Sequence, residues 1–180
     1  ASTTPRHRGA PLVCEAMRTD LPTAADVDAA AARLAGIVSH TPLQLNVRLS
    51  AAVGAEVWLK REDLQPVRSY KLRGAYNLIA QLSEEERARG VVCASAGNHG
   101  QGVAFACHRL GIAGRIFVPT TTPRQKRDRI AALGGDLVTV VVVGDTYDEA
   151  KEATLAAAAE SQAVVVPAFD AAATICGQGT

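Results

Sequence analysis

From Val91 to Pro167 the chain alternates short apolar runs with helical segments, and this regularity constrains the fold more than any other feature. The pattern predicts strands over 91–95, 115–119, 137–143 and 163–167, separated by helices over 100–110, 123–133 and 147–160. Stretches such as "LVTVVVV" are apolar throughout instead of alternating with polar residues, which requires both faces of the sheet to be covered. Repeated strand–helix–strand units join parallel strands by right-handed crossovers. The expected fold class is therefore α/β with a doubly wound parallel sheet. Ser83 with Glu86, Thr122 with Gln125 and Thr146 with Glu149 have capping-box spacing, and Gly90, Gly111 and Gly134 stand where helices should stop.

Upstream of this unit the periodicity is less regular. Thr23 is a candidate N-cap for a helix carrying Val27, Ala31, Leu34 and Ile37 at helical spacing, which ends before Pro42. A short strand is expected in "EVWLKRED" and a helix over 69–82, with Leu72, Ala75, Tyr76 and Ile79 on one face. Residues 1–22 are polar, lack the apolar core of a signal peptide and read as a mobile tail.

Composition narrows the ligand class. A net charge of +1 gives no electrostatic case for nucleic acid or anionic membranes, and 4% aromatic residues cannot supply a base-stacking platform. No stretch approaches the roughly 20 apolar residues that span a bilayer. Cys14, Cys93, Cys107 and Cys176 are too dispersed for a metal or redox pair and are expected as reduced structural thiols, as in the cytosol. His7, His40 and His108 show no ligand spacing, so no metal site is expected. Glu62 and Asp63 are neighbours in an extended segment and point opposite ways, which favours structural roles over an acid/base pair. The basic run "RQKRDR" reads as a solvated helix face.

Two stretches carry chemistry. "ASAGNHGQG" follows a predicted strand and opens a helix, the position where open parallel sheets bind ligands. First-turn N–H groups attract a carboxylate or phosphate there, Gly97 and Gly100 permit close approach, and Ser95, Asn98 and His99 add hydrogen-bonding groups. The stretch is neither a dinucleotide fingerprint nor a Walker loop, and the residues alone leave a ligand cradle and a structural turn equally open. In "KREDLQPVRSYKLRGAYN", Lys71 taken alone is the kind of lysine most often found as a solvated surface charge. Its neighbours Tyr70 and Leu72 offer the partial burial that suits a lysine to Schiff-base chemistry.

These two stretches, with "VPTTTPRQKRDRIAALGGD" and the terminal "GQGT", together resemble the N-terminal part of the threonine ammonia-lyases, or threonine dehydratases, of the fold-type II pyridoxal-phosphate enzymes. The resemblance runs from about Thr23 to Thr180. It implies pyridoxal 5'-phosphate as cofactor, with Lys71, in the pattern S-[FY]-K-x-R-G-A, as the residue that links to it and Tyr70 beside it. It implies that Asn98 hydrogen-bonds the cofactor's ring hydroxyl and that Ser95, Gly97, Asn98 and His99 hold the substrate carboxylate. The activity implied is β-elimination, converting L-threonine to 2-oxobutanoate and ammonia on the way to isoleucine, with an L-serine dehydratase or another fold-type II pyridoxal-phosphate enzyme as the alternative. A small amino-acid substrate, a homo-oligomeric full-length protein and a cytoplasmic setting go with that reading, without nucleic-acid or membrane partners. Serine racemases of similar sequence carry a second serine as acid/base where this chain has Ala96, so racemisation is disfavoured.

The resemblance also implies a division of the chain. Residues 23–92 would be the N-terminal segment of a large domain, 93–169 an essentially complete small α/β domain, and 170–180 the start of a returning large-domain helix. A glycine-rich phosphate cup and a partner for the pyridine nitrogen would lie further along the parent protein, and the isolated 180 residues are expected to be inactive. The alternative of another class is a truncated, non-catalytic α/β module. A nucleotide-binding domain ranks last, since no acidic ribose ligand stands at the expected offset.

Overall fold

The computed structural model describes residues 21–180, so Cys14 and all but the last two residues of the expected tail over 1–22 lie outside the described residues. Helix α1 (Ala24–Leu34) is closed at its start by a reciprocal capping box between Thr23 and Asp26. Strands β1 (Leu43–Leu45) and β2 (Trp58–Lys60) pair antiparallel, with Leu43 opposite Lys60. Between them lies α2 (Val47–Val53), which the sequence reading did not anticipate; Asn46 caps it and Gly54, at φ 70°, ends it. Helix α3 (Lys71–Ile79) is shorter than expected, and Lys71 is its first residue. Helix α4 (Glu84–Arg89) starts with the Ser83–Glu86 box and is closed by Gly90.

The alternation then runs as the apolar pattern dictates: β3 (Val91–Ala94), α5 (Asn98–Leu110), β4 (Gly114–Val118), α6 (Arg124–Gly134), β5 (Val138–Val142), α7 (Tyr147–Ser161), β6 (Val164–Val165) and α8 (Ala172–Gln178). The four strands are parallel, in the order β5-β4-β3-β6. Successive residues feed opposite faces. Val91, Cys93, Ile116 and Val118 pack with Val103 and Ala106 of α5 and Ile130 of α6. Val92 and Phe117 pack with Ala150 and Ala158 of α7. Both faces of β3 are thus covered, as its apolar run requires. The edge strand β5, against the expectation for its run, leaves Thr139 and Val142 exposed, and Arg115 of β4 reaches Ser161 Oγ at 2.6 Å.

Three helix ends depart from expectation. The Thr122–Gln125 box does not form: α6 begins after Pro123, which puts Gln125 one position too early to reach back, and Thr122 Oγ1 is buried with no partner among the described residues. At the other end of α6 the left-handed residue is Gly135, at φ 56°, while Gly134 remains in the helix against Val138. Helix α7 ends on Gln162 in a left-handed conformation where glycine would be easier. Among the described residues no helix is long and apolar enough to cross a membrane.

Strand order fixes where a ligand can sit. The chain steps from β3 to β4 to β5 in one direction, then returns so that β6 lands on the other side of β3. The reversal opens a crevice beyond the carboxyl ends of β3 and β6. The segments leaving those two strands, 95–97 and 166–170, flank it.

Candidate active site

Three helices without bulky side chains at their crossings bring the two motifs together. A Cβ on Gly102 of α5 would stand 3.0 Å from the carbonyl carbon and oxygen of Lys71, so the helix that follows "SAGNHG" rests on the backbone of the lysine itself. On another side of α3, a Cβ on Gly177 would meet Arg73 O at 2.5 Å and Gly74 Cα at 2.7 Å. The "GQGT" end therefore seats α8 directly on the first turns of α3. Backbone contact on two sides holds Lys71 at a helix start that no side-chain cap secures.

Lys71 is 9% exposed, and its Nζ donates 2.9 Å to the carbonyl oxygen of Ala168, just beyond β6. The amine lies 4.0 Å from the centroid of the Phe169 ring and 5.3 Å from that of Tyr70. Both aromatic rings are within cation–π range. Lys71 is therefore not a solvated surface lysine: its side chain is buried, with the amine at the segment leaving β6.

The turn after β3 is held by its own serine. Ser95 Oγ accepts from the N–H groups of Gly97, at 3.3 Å, and Gly100, at 3.0 Å. A Cβ on Gly100 would press on Ser95 O at 2.5 Å, so the tight turn demands glycine there, whereas the space beside Gly97 is open. Helix α5 begins two residues earlier than expected, which places Asn98 and His99 in its first turn. With Gly97 and Gly100 engaged by Ser95, the backbone N–H groups of Asn98 and His99 are the donors left for an anion. Asn98 is exposed, and its side chain lines an open cleft of about 520 Å³ with Arg68, Gln101 and Arg129. No hydrogen bond links it to Lys71 or Tyr70 among the described residues.

His99 is buried, and its Nε2 lies 2.9 Å from Val166 O. A carbonyl only accepts, so Nε2 carries the proton and Nδ1 bears a lone pair. Burial pushes the imidazole down to about 4, with the nearby Lys71 charge adding to the effect against the Val166 bond. The ring is neutral at pH 7. His99 and Lys71 together grip the segment leaving β6 through the carbonyls of Val166 and Ala168, on either side of Pro167.

Behind the lysine, Arg73 forms a two-pronged pair with Glu62, with Nε to Oε2 at 2.8 Å and a terminal nitrogen to Oε1 at 2.9 Å. Thr41 and Gln65 also donate to Glu62, and Arg73 reaches Thr180 Oγ1 at 3.1 Å. Burial alone would raise the Glu62 carboxyl, but the bonds from Arg73, Thr41 and Gln65 outweigh it and hold it at about 2. Glu62 has the structural role expected of it, although Glu62–Leu64 forms a short 3-10 helix and not the extended segment on which that expectation rested. Asp63 pairs with Arg61 at the surface.

Two polar atoms near the lysine are buried without hydrogen-bond partners among the described residues: Ser69 Oγ, two positions before it, and His99 Nδ1. Each such atom costs about 1–3 kcal/mol unless a ligand satisfies it. A buried amine between aromatic rings, a donor hydroxyl, an acceptor nitrogen and unclaimed helix N–H groups fit pyridoxal phosphate, which offers an aldehyde, polar ring substituents and negative charge. Sequence reading missed Ser69, Gly102, Ala168, Phe169 and Gly177 as parts of this arrangement. Only the strand order, which sets β6 beside β3, could have drawn attention to 166–170.

Fold and site together fit a family of pyridoxal-phosphate dependent enzymes. Residues 34–180 match the family model of that description, and the chain belongs to that family. Within it, the chain is 60% identical over 156 residues to the biosynthetic L-threonine dehydratase IlvA of Mycobacterium tuberculosis, covering 87% of this chain and 36% of that protein. It is 52% identical over 145 residues to the enzyme of the same name from Bacillus subtilis, covering 80% of this chain and 34% of that one. The chain thus spans about a third of the length of the curated relatives it matches. Among solved structures it resembles the processed form of threonine deaminase isoform 2 from Solanum lycopersicum, with a TM-score of 0.76 and 36% identity, over 100% of this chain and 53% of that one. It also resembles maize serine racemase, with a TM-score of 0.82 and 29% identity, over 89% of this chain and 48% of that one.

Proposed function

We propose that the protein containing this chain converts L-threonine to 2-oxobutanoate and ammonia, the β-hydroxyl leaving as water and the released enamine taking up water as it hydrolyses, with pyridoxal phosphate held at Lys71. The observation that carries the reading is the buried Lys71 amine, held at the strand-order reversal between aromatic rings. Pyridoxal phosphate supplies an aldehyde for the amine and a ring that accepts an electron pair. Lys71 holds the cofactor through its Nζ and, once released, takes the Cα proton of the substrate. Tyr70 flanks the cofactor, and the exposed Asn98 side chain serves its ring hydroxyl. The substrate carboxylate is bound by the turn 95–99, through the Ser95 hydroxyl, the open approach at Gly97 and the N–H groups of Asn98 and His99. The His99 ring, neutral and turned to Val166, serves as an acceptor beside Lys71 and does not bind the carboxylate. Ala96 offers no proton from the opposite side, so a proton taken by Lys71 is not returned there and elimination prevails over racemisation.

Residues 23–92, 93–169 and 170–180 serve in this reading as large-domain segment, small domain and returning helix. The remainder of the cofactor cup is supplied by the rest of the parent protein, which works in the cytoplasm as a homo-oligomer. Buried free thiols at Cys93, Cys107 and Cys176 are in keeping with a reducing compartment. The test is to supply L-threonine and L-serine to the full-length, cofactor-loaded protein and measure ammonia and 2-oxo acid. Release of 2-oxobutanoate supports the reading. Pyruvate alone supports a serine dehydratase, and neither product contradicts both.

A further inference from the structure

We infer that Phe169 sets the preference for a β-methyl group on the substrate, an inference that rests on the function proposed above. The Phe169 ring presents its face to Lys71 Nζ, 4.0 Å from the centroid, yet it is 68% exposed. It therefore stands in the crevice and not in the core. An amine that removes the Cα proton must touch Cα, and the substituents of Cβ are one bond further on. A ring this close to the amine is within contact of them. The Tyr70 ring is further away, at 5.3 Å, and the polar His99 is tied to Val166. Among the described residues, Phe169 is thus the ring nearest the amine and offers an apolar surface to a methyl group on Cβ, which threonine has and serine lacks. Asp170, in a left-handed conformation at φ 48°, turns the chain immediately after the ring and fixes its direction of approach.

One methyl group in an apolar pocket changes affinity by about 10- to 200-fold. The full-length holoenzyme and its Phe169→Ala and Phe169→Leu variants are compared in two ways. Binding of 2-aminobutyrate and alanine, which lack a β-hydroxyl and differ by one methyl, is followed by the change in cofactor absorbance. The ratio of kcat/KM for threonine over serine is measured alongside. Wild type should favour the methyl-bearing ligand by about tenfold or more, Phe169→Leu should keep most of that preference, and Phe169→Ala should bring both ratios close to one. Ratios unmoved in Phe169→Ala, with oxo acid still formed, overturn this inference and leave the proposed function standing. Wild-type protein that forms no oxo acid from either substrate overturns both.

Discussion

Lys71 and Ala168 are 97 residues apart in sequence, yet the lysine Nζ donates to the Ala168 carbonyl at 2.9 Å, tying the first turn of α3 to the exit of β6. The bond exists because β6 lies beside β3 at the reversal of strand order and because Gly102 lets α5 rest on the lysine backbone. Site and topology are in this sense one feature. Altering the helix crossings should disturb the lysine before it disturbs the sheet.

Gly177→Ala is the direct test of those crossings. The new methyl would stand 2.5 Å from Arg73 O and 2.7 Å from Gly74 Cα, both backbone atoms that cannot swing aside. Overpacking of this kind costs about 1–3 kcal/mol. Chemical denaturation should show that loss, accompanied by weaker cofactor binding as α3 shifts. A variant as stable as wild type would show that α8 yields without cost.

Removing both partners of the Glu62–Arg73 pair should cost less than the two single losses added together. The side chains are 14% and 8% exposed, so either one left alone is a charge with little access to water. Breaking such a pair costs about 3–5 kcal/mol, whereas deleting both charges costs less than the sum of the single losses. A double-mutant cycle with Glu62→Ala and Arg73→Ala, read by urea unfolding, measures the difference. Strict additivity would contradict the pairing.

Acid should destabilise the protein through His99 before it does so through Glu62. The folded imidazole takes a proton at about 4, against an ordinary value of 6.5, so between these pH values the unfolded chain binds a proton that the folded chain refuses. Stability is full above 6.5 and falls as pH drops towards 4, by about 3 kcal/mol in all. Glu62, held at about 2 against 4.5, adds a second loss below pH 4.5. His99→Gln keeps a donor for Val166 but cannot titrate, so its stability should be flat from pH 6.5 to 4.5. An unchanged slope would place the titrating group elsewhere.

Ser95→Ala should loosen the cradle. The hydroxyl oxygen accepts from two N–H groups of the turn, and losing it costs about 1–2 kcal/mol of stability. A rise in KM larger than the fall in kcat is expected if the same turn binds the carboxylate. A change in kcat alone would remove Ser95 from substrate binding.

Much of the fold was legible because it is local. Largely apolar runs at 91–94, 114–118 and 138–142 announce strands of a buried sheet, and Ser83, Thr146 and Thr23 announce helix starts within three residues of their partners. Helix α2 escaped notice because its seven residues bury no side chain and show no apolar stripe. The Thr122 box failed because a shift of one residue at a proline decides whether Gln125 can reach back. Within the site, Lys71 and the 95–100 turn stood out in their motifs, but the partners of Lys71 did not. Ala168 and Phe169 become neighbours of the lysine only through the order β5-β4-β3-β6, and no local pattern encodes that order. Arg68 at φ 57° and Asp170 at φ 48° hold left-handed turns on either side of the site without the glycine that would have signalled them.

The most direct measurement is the absorbance spectrum of the full-length protein with pyridoxal phosphate, before and after Lys71→Ala. A visible band from the cofactor linked to Lys71 is expected in the wild type, and its loss in the variant while the free-cofactor spectrum remains. Coincident spectra for the two proteins would contradict the assignment of Lys71 as the residue that holds the cofactor.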